Sequence, residues 1–161
     1  MNGDGNMSGN DEKPWILIIH GPNLNMLGQR EANWYGFATL EEIDAEIKQT
    51  AEGCGMVAET FQSNYEGASV EKIHEAMKAY DAVIINPAAY THTSVAIRDA
   101  LLMLNVPIIE VHLSNIYRRE PFRHKSLIAD IVTARIAGFG KDGYIMAVEA
   151  AADMLKRKCR D

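Results

Sequence analysis

Polar and apolar positions change rhythm several times along this chain. WILIIH, DAVIIN, VPIIEVHL and, less clearly, ARIAGFG are short apolar runs without alternation, and MVAETFQ is a weaker fifth. Runs of this kind mark strands covered on both faces. Between them, TLEEIDAEIKQTAEGCG, ASVEKIHEAMKAY and TSVAIRDALLMLN place apolar residues three and four apart, and DGYIMAVEAAADMLKRK closes the chain in the same way. That spacing puts the apolar groups on one side of a helix. Several of these segments end on Lys or Gly, which suit the negative end of the helix dipole and the left-handed turn that stops it.

Strands that alternate with helices predict an α/β fold with right-handed crossovers. Five strands and about four long helices fit a flavodoxin-like, doubly wound five-stranded parallel sheet with helices on both faces. The expected organisation is a disordered N-terminal tail over 1–14, a single catalytic domain over 15–158 and a short C-terminal tail over 159–161, because MNGDGNMSGNDEKP shows no periodicity. In such sheets ligands sit outside the carboxyl ends of the strands, near the point where strand order reverses. The loops after strands one, three and four are therefore expected to carry the chemistry.

Composition narrows the field. The 161 residues are enough for one domain with a real core, and 47% hydrophobic with 24% charged residues is ordinary for a globular chain. No apolar run approaches the roughly 18 residues a spanning helix needs, and the opening has no basic-then-apolar signal layout, so no membrane role and a cytoplasmic address are expected. Cys54 lies in a Gly-Cys-Gly turn and Cys159 in the tail KRKCRD, which reads as two free thiols. A net charge of −6 argues against a general nucleic-acid binder. Against that background YRREPFRHK gathers Arg118, Arg119, Arg123, His124 and Lys125, a patch suited to an anion.

The loop after strand one, HGPNLNMLGQREANWYG, is too long for a plain connector and too rich in breakers for a helix start. It offers Asn23, Asn25, Arg30 and Tyr35. NPAAYTHTS adds Asn86, His92 and Ser94 after strand three, and EVHLSNIYRREPFR adds His112, Ser114 and Asn115 after strand four. The loops after strands two and five offer fewer polar groups. Plainer readings stand beside these: Asn23 and Asn25 as turn residues, Thr91 or Thr93 as a helix cap, Asp99 as a surface charge beside Arg98, and His74 as a helix-surface histidine. His20, His92 and His112 could form a three-histidine zinc site, but they show no HxH or HExxH spacing, and no metal is expected. Neither GxGxxG nor GxxxxGK[ST] follows the first strand, which leaves a nucleotide or flavin carrier as the weaker alternative.

The inventory contains no catalytic lysine, serine triad or cysteine dyad, and suits proton transfer beside a carbonyl in a polyhydroxylated anion. A tyrosine base has a reference pKa of about 10, and lowering it by about three units takes roughly 4 kcal/mol. A cation about 4 Å away supplies about 1 kcal/mol in water and about 4 at an effective dielectric near 20. The segment from Gly28 to Gly36 is therefore expected to act as a lid that brings Arg30 to Tyr35 and removes water.

GPNLNMLGQRE…YG, FQSN…EG, INPAAYTHTSVAIRDAL and EVHLSN…RREPFRHKS, in this order from Trp15 to Lys156, resemble the motifs of type II 3-dehydroquinate dehydratase. The resemblance implies a hydro-lyase of the shikimate pathway or quinate catabolism, which converts 3-dehydroquinate to 3-dehydroshikimate by anti elimination through an enolate, without cofactor or metal. It gives Tyr35 the role of base at C2 and Arg30 that of its activator. His112 becomes the acid for the C1 hydroxyl, supported by Glu110, and Asn23 holds a water against the enolate oxygen. Asn86, His92 and Arg123 match the ring-hydroxyl binders, Leu113 and Ser114 the carboxylate site, and Arg119 a second, mobile arginine. Asp99 matches a carboxylate contributed by an adjacent subunit of a trimer, four of which make a homododecamer. Ala88 stands where the resemblance leads us to expect glycine, and Pro121 where it leads us to expect a polar residue.

Overall fold

The computed structural model describes residues 12–29 and 36–158. Five strands form one parallel sheet: β1 (Trp15–His20), β2 (Val57–Gln62), β3 (Ala82–Asn86), β4 (Ile108–His112) and β5 (Ala134–Ala137), in the order β2-β1-β3-β4-β5. The helices are α1 (Leu40–Gly53), α2 (Glu66–Ala79), α3 (Val95–Leu102) and α4 (Asp142–Lys158). This is the expected doubly wound architecture, and strand order reverses between β1 and β3. Of the two expected tails, residues 1–11 and 159–161 lie outside the described residues, while the Pro14 carbonyl already accepts a 2.9 Å hydrogen bond from Val57 N–H.

The apolar runs serve two cores because neighbouring side chains point to opposite faces of a strand. Ile16, Ile18, Ile84, Ile109 and Val111 pack with Ile43 and Ile47 of α1 and with Tyr144 and Val148 of α4. Leu17, Ile19, Val83, Ile85 and Ile108 pack on the other face with Ile73 of α2 and with Ile97 and Leu101 of α3. Every residue of β3 and β4 is buried, whereas β2 and β5, at the edges, are half-buried throughout. Edge position explains why those two gave the weaker apolar signal.

Local chemistry sets the ends. Thr39 and Glu42 close α1 with a reciprocal capping box, each side chain accepting from the other's backbone N–H. The cap of α3 is Ser94, whose Oγ accepts from Ile97 N–H at 2.9 Å. The expectation that Thr91 or Thr93 plays that part is therefore corrected: a 3₁₀ turn over Ala88–His92 comes first, and Thr91 points elsewhere.

Where β1 and β3 end side by side, Gly21 N–H donates to the Asn86 carbonyl at 2.8 Å. A Cβ on Gly21 would lie 2.4 Å from the Pro87 oxygen, so only glycine lets the two loops meet. Two residues further along the second loop, Ala88 has φ of +52°. A methyl there costs roughly 1 to 2 kcal/mol in the left-handed region, which glycine enters freely at a smaller entropic cost. Ala88→Gly is accordingly expected to raise stability by up to about 1 kcal/mol, read as a higher urea midpoint with an unchanged slope. A lower midpoint would show that the strain at Ala88 is illusory.

Candidate active site

A cavity of about 130 Å³ opens at the carboxyl ends of β1, β3 and β4. Asn23 comes from the loop after β1, and Asn86, Ala88 and His92 from β3 and the turn behind it. His112 ends β4, Leu113 and Ser114 follow it directly, and Arg119 and Arg123 come from the basic segment beyond. The three loops singled out from the sequence thus line one space.

The firmest feature lies just behind it. Glu110, fully buried on β4, points to the same side of the strand as His112. Its Oε1 accepts from His112 Nε2 at 2.7 Å, from Thr91 Oγ1 at 2.6 Å and from Ser126 Oγ at 2.9 Å, and Arg135 Nε lies 2.6 Å from its Oε2. Burial alone would push this carboxyl up. The hydrogen bond and charge of His112, the Thr91 hydroxyl and the Arg135 guanidinium outweigh it and hold the group down at about 2. With Nε2 committed to Glu110, Nδ1 is the nitrogen His112 has left for the cavity.

His92 is held differently. Its Nδ1 donates to the Lys125 carbonyl at 2.7 Å, which leaves Nε2 as an acceptor. Burial moves this imidazole below the ordinary histidine range, against the pull of that carbonyl, so it favours the neutral form. Asn86 turns its Oδ1 to Ala88 N–H at 3.1 Å, which orients the amide. Asn23 sits in the left-handed region at φ +66°, with its backbone N–H donated to Asn64 Oδ1 at 2.9 Å. Arg119 Nη1 is 3.5 Å from Ser114 Oγ, and Arg123 donates to Glu120 at 2.8 Å across the turn that Pro121 begins. The outcome is a small polar chamber lined by an imidazole backed by a carboxylate and by guanidinium groups.

The family model described as dehydroquinase class II matches residues 14–152. The chain belongs to that family. It is 54% identical over 138 residues to a 3-dehydroquinate dehydratase of Acaryochloris marina, covering 86% of this chain and 93% of the relative. It is 50% identical over 141 residues to that of Bacillus cereus, covering 88% and 97%. Among solved structures, the type II dehydroquinase of Propionibacterium acnes superposes with a TM-score of 0.85 at 41% identity, over 88% of this chain and 97% of that one.

Other expectations fare variously in this dehydroquinase. Arg30 and Tyr35 lie outside the described residues, between Gly28 at φ +85° and Gly36 at φ +74°. Asp99 is exposed on α3 and does not line the cavity of its own subunit. Arg98 forks onto Asp130 at 2.5 and 2.9 Å, so Asp99 is not its hydrogen-bonded partner. His20 is fully buried, with Nε2 2.8 Å from Asp44 and Nδ1 2.8 Å from the Tyr144 hydroxyl, and so does not join His92 and His112. Among the described residues no group of three His, Cys, Asp or Glu is placed to hold a metal, and no helix is long and apolar enough to cross a membrane.

Sequence reasoning missed Asn64, Gln62, Thr91, Ser126 and Arg135. The loop after β2 matters more than its polar count suggested: Gln62 Nε2 reaches both the Gly21 carbonyl and Asn64 Oδ1, and Tyr90 donates to the Asn64 carbonyl at 2.8 Å. FQSN was visible as a motif, but its use as a brace for Asn23 depends on β2 lying beside β1.

Proposed function

We propose that this dehydroquinase removes water from 3-dehydroquinate by anti elimination, with Tyr35 as base, His112 as acid and an enolate between the two steps. The reaction makes it a lyase, a 3-dehydroquinate dehydratase. Tyr35, ionised beside Arg30 under the closed lid, takes the C2 proton, and the C–H electron pair moves into the enolate, whose oxygen faces a water held by Asn23. The pair then returns to form the C1–C2 double bond as the C1–O bond breaks. His112 gives the proton that lets hydroxide leave as water.

The carrying observation is the Glu110–His112 pair. A buried carboxylate fastened to Nε2 orients the ring, while the other nitrogen is left for the cavity. Around it, Asn86, His92 and Arg123 suit ring hydroxyl groups, and Leu113, Ser114 and Arg119 suit a carboxylate. Asp99, exposed on its own subunit, would enter the site of a neighbour in a trimer, with four trimers forming a dodecamer. The conjugated enone product absorbs in the ultraviolet. Adding 3-dehydroquinate to enzyme treated exhaustively with a chelator is expected to give the same absorbance rise as untreated enzyme, and light scattering on that sample a mass of twelve chains. No rise with either sample would overturn the reaction, and full activity in a monomer would remove Asp99 from it.

A further inference from the structure

Glu110 has a second cation. β5 runs parallel to β4 in the register that sets Arg135 opposite Glu110. Arg135 Nε approaches Glu110 Oε2 to 2.6 Å, off the line of its N–H bond, and among the described residues neither Nε nor the buried Nη2 has a directed acceptor. The guanidinium thus acts on the carboxylate as a charge more than as a donor. Its side chain is 24% exposed on an edge strand and takes no part in lining the cavity. Other titratable or charged groups line the cavity side of the Glu110–His112 pair: His92, which favours its neutral form, in the turn after β3, and the cations Arg119 and Arg123 in the segment after β4. Thr91 and Ser126 bring hydroxyl groups without charge.

We infer that Arg135 is a positioning residue of the elimination, the counter-cation that keeps Glu110 ionised and in place while His112 is without its second proton. The inference rests on His112 being the acid. Before the step, the carboxylate faces an imidazolium and a guanidinium. Once Nδ1 has passed its proton to the departing hydroxyl, the ring is neutral, although Nε2–H still donates to Glu110. A fully buried carboxylate stripped of every cation is strongly disfavoured, and that penalty would hold the proton on His112. Arg135 removes most of the penalty, so the acid releases its proton more readily and Glu110 keeps its orientation for the next cycle.

Arg135→Met keeps the apolar stem and removes the charge, and Arg135→Lys restores a charge. In Arg135→Met, kcat is expected to fall about tenfold with KM within about twofold, and the pH midpoint of the His112 ring resonance, followed by NMR, to rise by about one unit. Arg135→Lys is expected to recover most of both changes. Should Arg135→Met prove unstable, Arg135→Gln serves in its place. A neutral variant that loses only thermal stability, with kcat and the His112 titration at wild-type values, would overturn the inference; so would a lysine variant as impaired as the neutral one. The titration needs no substrate, so a wild-type enzyme inert toward 3-dehydroquinate would defeat the proposed reaction while leaving the electrostatic claim to be judged by NMR.

Discussion

His112→Ala is expected to turn over 3-dehydroquinate at least about a hundredfold more slowly than wild type, with Tyr35→Phe impaired to at least the same degree. The imidazole of His112 is held at 2.7 Å by a carboxylate that accepts from two hydroxyl groups as well, so the ring cannot swing away and is the one protonatable group so braced in the cavity among the described residues. Removing it leaves hydroxide to depart without a proton donor. The phenyl ring of Tyr35→Phe is of nearly the same size and cannot ionise, so the proposed base is lost. Both variants are expected to bind a product-like anion nearly as tightly as wild type, because the groups that suit the ring hydroxyls and carboxylate are untouched. Single-turnover absorbance and calorimetric titration of the same preparations separate the two effects. Near-normal kcat in either variant would strike that residue from the mechanism, and loss of anion binding would assign it to substrate capture instead.

The second large effect is on stability. The Glu110 carboxyl sits at about 2 in the folded protein against 4.5 ordinarily, because His112, Thr91 and Arg135 together outweigh its burial. A depressed carboxyl favours the folded state above its unfolded value, and that contribution is lost as pH falls through the window from about 4.5 toward 2. The difference is worth on the order of 3 kcal/mol. Glu110→Gln cannot make this contribution, and at neutral pH it strands the Arg135 guanidinium against an uncharged amide. Urea unfolding at equal protein concentration is expected to show the variant less stable by about 3 kcal/mol near pH 7, with the gap closing steadily below pH 5. A gap of constant size across that range would mean that Glu110 is not the titrating group. A thermal scan at pH 7 alone would miss the distinction, since any lost buried hydrogen bond lowers Tm.

Between sequence and fold, the division follows the range of the interactions concerned. Periodicity is written locally. The inner strands were legible because both their faces are buried, and the helices because each lays one apolar stripe on the sheet, as Ile43 and Ile47 of α1 do. The parallel, doubly wound order followed from the alternation, and that order alone directed attention to the loops bearing Asn23, Asn86, His92 and His112. Even the pairing of Glu110 with His112 was within reach, since residues two apart on a strand share a face.

Other features needed the strands set side by side. Nothing local tells Thr91 to leave the helix cap to Ser94 and donate to a carboxylate on β4, or makes Asn64 the brace for Asn23. Arg135 could be read only as one charge in a weak edge strand until the β4–β5 register placed it opposite Glu110. Short-range pattern determines which segments are covered and hence which strand ends are free for chemistry. Which polar groups meet there depends on sheet order and register, because a hydrogen bond a few ångströms long joins residues that the chain itself keeps tens of positions apart.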